Sequence, residues 1–216
     1  MPLTNRLTPF GEIVAVPARG TLMGNRGVLH DAERRIVRDW QVRRWIACRL
    51  QFRGRQREVM TPGAYTELFF LDEATALADG HRPCAECRHA EYLQFQAGWR
   101  STHPGMPASA AAMDAALHVE RRLGPWRKRT YEAEIERLPD GTFVAVDGVA
   151  WLLHAGTLHA WSSDGYLDRR PRPAGGRVVV LTPPSVVGVL SAGYRPEVHP
   201  SASLRWQTSR MLKRKS

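Results

Sequence analysis

No apolar stretch in this chain approaches the 18 residues that a helix needs to cross a bilayer. The opening "MPLTNRLTPFGE" has no apolar segment of the kind that marks a secretory signal. Cysteine is scarce, at three residues, and the number is odd, so a framework of disulfides is excluded. The chain therefore reads as soluble and cytoplasmic, with no membrane partner. In that compartment closely spaced cysteines serve as metal ligands or redox groups more often than as disulfides. Gly24, Arg26 and Gly27 form no phosphate-binding fingerprint, and no nucleotide loop, serine nucleophile elbow or HExxH is present. Lysine is confined to "WRKRTY" and the tail "MLKRKS".

Arginine is what the chain has in quantity. With 31 Lys+Arg against 21 Asp+Glu the formal charge is +10. Guanidinium forks match phosphate oxygens in pairs, so this balance points to a polyanionic partner, nucleic acid and above all DNA. A solvated basic surface with no such partner is the plain alternative. Apolar residues make up 43% of 216, enough to build a core in one large domain or two small ones.

Patterning divides the chain into an α+β cysteine-bearing region, residues 1–100, and a β-rich region, residues 126–205. A linker and helix lie between them at 101–125, and a basic disordered tail follows at 206–216. "EIVAVPARGTLMGNRGVLH" reads as short strands broken by turns. From Ile46 to Arg53 apolar and polar residues alternate, as on a half-buried strand with an arginine-rich outer face, and "REVMT" is its expected hairpin partner. Asp72 caps a short helix that Gly80 ends, a second helix follows Cys87, and Ser109 caps a third. Beyond residue 126, "TYEAEIERL", "TFVAVDG", "VAWLLHAG", "TLHAW", "RVVVLTP" and "SVVGVLSAG" read as β-rich runs, with "LDRRPRPAGGR" as a basic loop.

Cys84-Ala-Glu-Cys87 can present two thiolates to one ion from a tight turn, but two thiolates do not close a tetrahedral site. A redox dithiol has the same spacing. Cys48, on the strand, is the remaining sulfur, although a single buried cysteine is also an ordinary small hydrophobe.

Around these residues "FFLDEATALADGHRPCAECR", residues 69–88, resembles the second half of the Ada-type metal-binding domain. That pattern runs through an aromatic residue, a short helix with an "EA" step, "aGyRPC", two residues and a cysteine. In the Ada protein the domain repairs methylated DNA phosphotriesters on a zinc-bound cysteine, and related knuckles accompany nucleases and other small bacterial proteins. The Ada first half carries Cys-x-x-x-Cys. Here only Cys48 stands, with Arg44 four places before it. "MGNRGVLHDAERRIVRDWQVRRWIACRL" instead resembles the nuclease-linked variant, "GN…yH…C", so the resemblance extends over about residues 24–88. It implies a Cys3His zinc site of His30, Cys48, Cys84 and Cys87, with His81 and His89 as competing fourth ligands. His81 stands at the family's aromatic position before "RPC", which suits a structural part. Imidazole in place of a thiolate lowers the charge on the site and its nucleophilicity, so a closed structural role is expected rather than methyl transfer.

Two further groups carry chemistry. His154, His159 and Asp164 in "WLLHAGTLHAWSSDGY" are candidates for a catalytic base, its partner and an orienting carboxylate, or simply for hairpin residues between core and surface. Trp126, Trp151, Trp161 and Tyr166 lie near basic loops and suit stacking on unpaired bases. Arg43, Arg44, Arg49, Arg53, Arg127, Lys128, Arg129, Arg169 and Arg170 are the expected nucleic-acid contacts. The leading reading is a zinc-stabilised DNA-binding protein linked to repair or processing. The alternatives are a nuclease or lesion-processing enzyme centred on His154, His159 and Asp164, and a zinc-stabilised protein-interaction module.

Overall fold

The computed structural model describes residues 1–54 and 58–203, and the fold is α+β. The expected tail at 206–216 lies outside the described residues. Five short strands open the chain: β1 (Thr4–Leu7), β2 (Ile13–Ala15), β3 (Leu22–Asn25), β4 (Ile46–Arg49) and β5 (Leu68–Phe70). Helix α1 (Glu73–Ala78) follows, then β6 (Arg82–Pro83). These strands form one mixed sheet in the order β2-β1-β5-β3-β4-β6. β4 is antiparallel to β3, with Met23 opposite Cys48, and parallel to β6, with Ala47 opposite Pro83. Of the expected partner "REVMT", residues 58–61 take no part in the sheet, with turns at Val59 and Met60 and at Pro62 and Gly63, and Arg57 lies outside the described residues. Flanked by strands on both edges, β4 buries Ala47 and Cys48 alike, so the alternation expected through Arg53 stops at Arg49.

Asp72 caps α1: its Oδ1 accepts from the Thr75 N–H at 2.8 Å and the Thr75 hydroxyl at 2.7 Å. Gly80 ends the turn at φ +86°, and a Cβ there would stand 2.6 Å from the Arg121 side chain, so glycine is required twice over. All six residues of α1 are buried. Ala76 packs with the first sheet, Leu77 with the helices, and Ala74 and Ala78 with the second sheet. Three cores meet on one two-turn helix.

α2 (His89–Thr102) and α3 (Ala110–Arg121) pack through Tyr92, Phe95, Trp99, Met113 and Leu117. Ser109 caps α3, its hydroxyl accepting from the Ala112 N–H at 3.3 Å. The hairpin of β7 (Arg122–Gly124) and β8 (Arg127–Lys128) leads to β9 (Tyr131–Glu134).

The second sheet contains β9, β10 (Phe143–Val146), β11 (Val149–His154), β12 (Thr157–Ser162), β13 (Gly165–Pro171) and β14 (Arg177–Val180). They pair antiparallel throughout, in the order β13-β12-β11-β10-β14-β9. Two-residue turns join β10 to β11 and β11 to β12. Asp147 and Gly148, then Ala155 and Gly156, have φ between 49° and 75°, the twist that suits a hairpin. Phe143, Leu152 and Tyr166 face the core that includes α1, while Val144, Trp151, Leu153 and Leu158 face a second core.

Two expectations for this region fail, the first in part. "LDRRPRPAGGR" is a loop only in its second half, residues 172–176, because Leu167 to Pro171 continue β13 along β12. "SVVGVLSAG" is not a strand but helix α4 (Pro184–Ser191), which packs on α2 and α3. Pro184 suits a helix's first turn, and Val186, Val189 and Leu190 recur at helical spacing.

Candidate metal centre and basic surface

Pairing β4 with β6 sets Cys48 beside Cys84, whose N–H donates to the Ala47 carbonyl at 3.0 Å. The knuckle then turns into α2, with the Arg88 N–H donating to the Cys84 carbonyl at 3.1 Å. The Sγ atoms of Cys48, Cys84 and Cys87 all lie within 4.8 Å of one another. Tetrahedral thiolates about 2.3 Å from one metal would stand about 3.8 Å apart. Backbone N–H groups already point at the sulfurs: Glu86 N–H donates to Cys84 Sγ and Arg49 N–H to Cys87 Sγ, both at 3.4 Å. Met23, Ile46 and Phe52 close the apolar side. Hydrogen bonds from Cys48 and Cys87, with backbone N–H groups, hold the Cys84 thiol far below its usual range, and the same proximity pushes Cys48 far up. Three sulfurs this close share protons unless a cation replaces them. These cysteines can hold a metal ion.

The structure does not bring the expected fourth ligand, His30, into this group. Its Nδ1 lies 2.6 Å from the Thr66 hydroxyl and its Nε2 lies 3.2 Å from the Thr61 carbonyl. Both ring nitrogens are thus used in a local network that the sequence does not reveal. His81 is fully buried between Trp45 and Phe70, with Nδ1 3.1 Å from Asp79 Oδ2. Burial pushes its pKa down to about 3, which keeps the ring neutral. His89 is exposed on the first turn of α2, with Nδ1 3.0 Å from the Ala85 carbonyl. Among the described residues no histidine or carboxylate joins the three sulfurs. Residues 55–57 and 204–216 contain no Cys, His, Asp or Glu.

Comparison with family models, with curated proteins and with solved structures finds no match.

His154 and His159 meet edge-on, 5.7 Å between ring centres, but Asp164 does not join them. His154 pairs with Thr157 at one end of β12, and Asp164 sits in the turn beyond Ser162 at the other. The two ends are about 17 Å apart at about 3.3 Å per residue. His159 is buried, with Nε2 2.6 Å from the Thr157 hydroxyl and 3.2 Å from the His154 carbonyl, and burial lowers its pKa. Asp164 is exposed.

The basic residues divide into outward and inward sets. Arg43, Arg44, Arg49, Arg53, Arg127, Arg129 and Arg169 are exposed. Arg49 pairs with Glu91 at 3.3 Å and Arg53 with Glu86 at 4.0 Å. Arg170 instead lies against the Trp151 ring at 4.0 Å. The Lys128 ammonium turns inward to the Ala78 carbonyl at 2.7 Å, and burial pushes its pKa down to about 8. Of the expected stacking residues, Trp151 and Tyr166 are buried and Trp161 donates to the Thr75 hydroxyl at 3.1 Å. Trp126 alone is outward, 57% exposed at the tip of the β7–β8 hairpin.

That tip is held from within. Trp126 has φ 59°, a left-handed conformation that an aromatic residue rarely adopts, and its N–H donates to Asp39 Oδ2 at 2.8 Å. Asp39 also pairs with Arg122, and its carbonyl accepts from Arg26 at 3.0 Å. The next residue, Trp40, lies edge-on to His118, 4.5 Å between ring centres. Arg26 and Arg121 lie against the Trp45 ring at 4.0 and 3.8 Å, and Arg26 pairs with Asp79 at 2.5 Å. Arg121 donates to the Gly80 and Arg43 carbonyls at 2.7 and 2.6 Å. A buried arginine layer therefore anchors the segment carrying Trp40, Arg43 and Arg44 beside the hairpin carrying Trp126 and Arg127. Sequence patterning gives no sign of this layer, because a buried and a solvated arginine read alike in a single chain.

Proposed function

We propose that this chain is a zinc-stabilised nucleic-acid-binding protein whose partner is DNA, acting in DNA repair or processing. The carrying observation is the exposed set Trp126, Arg43, Arg44, Arg127 and Arg129, with half-buried Trp40 in the same segment as Arg43, built on an arginine layer that holds its backbone. Guanidinium groups bind phosphates, and an exposed indole on a strained, pinned tip offers a surface on which an unpaired base can stack. The +10 charge supports an anionic partner. Three thiolates favour zinc over harder ions, and the Ada-type resemblance of residues 69–88 agrees with both the metal and the partner. Zinc here joins β4, β6 and the start of α2, and so supplies folding energy to strands only two to four residues long.

The test is an anisotropy titration of labelled single-stranded and duplex DNA across salt. Four phosphates met by Arg43, Arg44, Arg127 and Arg129 give a log–log slope of about −3.6 on duplex. Changing Arg43 and Arg127 together to Gln lowers its magnitude by about 2. Binding that is flat across salt, or unchanged in the double variant, contradicts the reading.

A further inference from the structure

We infer that the metal centre draws only three ligands from this chain and takes its fourth, a small neutral donor, from solution. The inference rests on the metal part of the proposed function and goes beyond it. The chain has three cysteines, and all three are already in the cluster. His30 is satisfied on both nitrogens by Thr66 and Thr61, and His81 is sealed between two aromatic rings. No other histidine or carboxylate among the described residues joins the sulfurs, and the remaining segments carry none of these residue types.

The surroundings set the class of ligand. A dication with three thiolates carries one net negative charge. Near it the cations Arg49, Arg53 and Arg88 meet Glu91, Glu86 and Glu73 in ion pairs, with Arg88 and Glu73 2.9 Å apart. Among the described residues these three positive charges face three negative ones, so the pairs leave no surplus cation to invite a fourth anion. Water or a neutral imidazole-class nitrogen suits the site better than another thiolate. The cysteines are buried, at 8 or 9% exposed, whereas His81 has no exposure. The knuckle residues between Cys84 and Cys87, Ala85 and Glu86, are exposed, so the cluster lies just beneath the surface. A cleft of about 500 Å³ is lined by Leu22, Arg49, Arg88, Glu91 and Tyr194; no cysteine lines it, but Arg49 and Arg88 directly follow Cys48 and Cys87 in the chain. A metal held in this way keeps an open position, the arrangement of sites that bind and polarise a small molecule.

The test uses the full chain loaded with Co²⁺ under anaerobic conditions and titrated with imidazole while its visible bands are recorded. The expected result is a saturable shift of the d–d bands, the same in wild type, His30→Ala and His89→Ala. A cobalt-loaded protein whose bands ignore imidazole overturns the inference. So does a spectrum altered by His30→Ala or His89→Ala before imidazole is added, because the chain would then supply the fourth donor. A protein that takes up no cobalt would instead sink the metal reading itself, and this inference with it.

Discussion

The two sheets of this protein are held together by different means. The second is antiparallel throughout, with β10 to β13 a meander: strands of four to seven residues, tight two-residue turns, and apolar side chains on both faces. The first is built from strands of two to four residues, and its small apolar core of Leu7, Leu22, Leu68 and Phe70 is joined by a buried layer of charge. Arg26, Arg82, Arg88, Arg121 and Arg122 are all buried, paired or stacked with Asp79, Asp114, Glu73, Trp45 and Asp39. Apolar burial is non-directional and tolerates substitution, whereas buried ion pairs and sulfur clusters hold specific segments at fixed distances. The first sheet carries the cysteine cluster, and the arginine layer beside it holds the β7–β8 hairpin and the Arg43 segment in place.

Metal removal should separate the halves most strongly. A structural zinc contributes on the order of 10 kcal/mol to the fold that binds it. Chelation, or Cys48→Ser, should abolish hydrogen-exchange protection in β3, β4 and β6 while β10 to β13 retain theirs. Equal loss in both sheets would show that they do not differ in this way.

Next in size is Asp79→Ala, which leaves Arg26 buried without its carboxylate and should cost about 3–5 kcal/mol in denaturant unfolding. Leu152→Ala, a cavity in the meander, should cost about 2–5 kcal/mol and leave metal affinity unchanged.

A smaller effect concerns pH. Lys128 titrates at about 8 in the folded chain against 10.5 when unfolded. The unfolded state then holds more protons in that window, so this group's contribution to stability rises with pH from about 8 toward 10.5. Subtracting the curve of Lys128→Met from that of wild type should reveal this rise, and a flat difference would contradict the buried ammonium. Trp126→Ala should alter stability least, within about 0.5 kcal/mol, while weakening single-stranded DNA binding by about 1–3 kcal/mol.

Much of the cysteine cluster is legible from residue order alone. Cys-x-x-Cys before a helix and a cysteine on a preceding strand pointed to the three sulfurs that the fold brings together, and Asp72, Gly80 and Ser109 marked helix ends that the structure retains. His30 stands instead against Thr61 and Thr66, which lie more than thirty residues away in the chain and leave no local pattern to read. Helix α4 was missed because valine favours strands when local preference decides, and here packing on α2 and α3 outweighs it. Lys128 and Arg170 looked like surface charges, since only the fold shows that one reaches the Ala78 carbonyl and the other covers Trp151. Asp114 and His118 share a helix face, yet Asp114 pairs with Arg82 at 2.8 Å while His118 meets Trp40.

The most direct test is metal stoichiometry, measured by native mass spectrometry on purified wild type, Cys48→Ser and His30→Ala. One zinc ion per chain in wild type and in His30→Ala, with none in Cys48→Ser, is the predicted result. A folded wild type carrying three free thiols and no metal would contradict it.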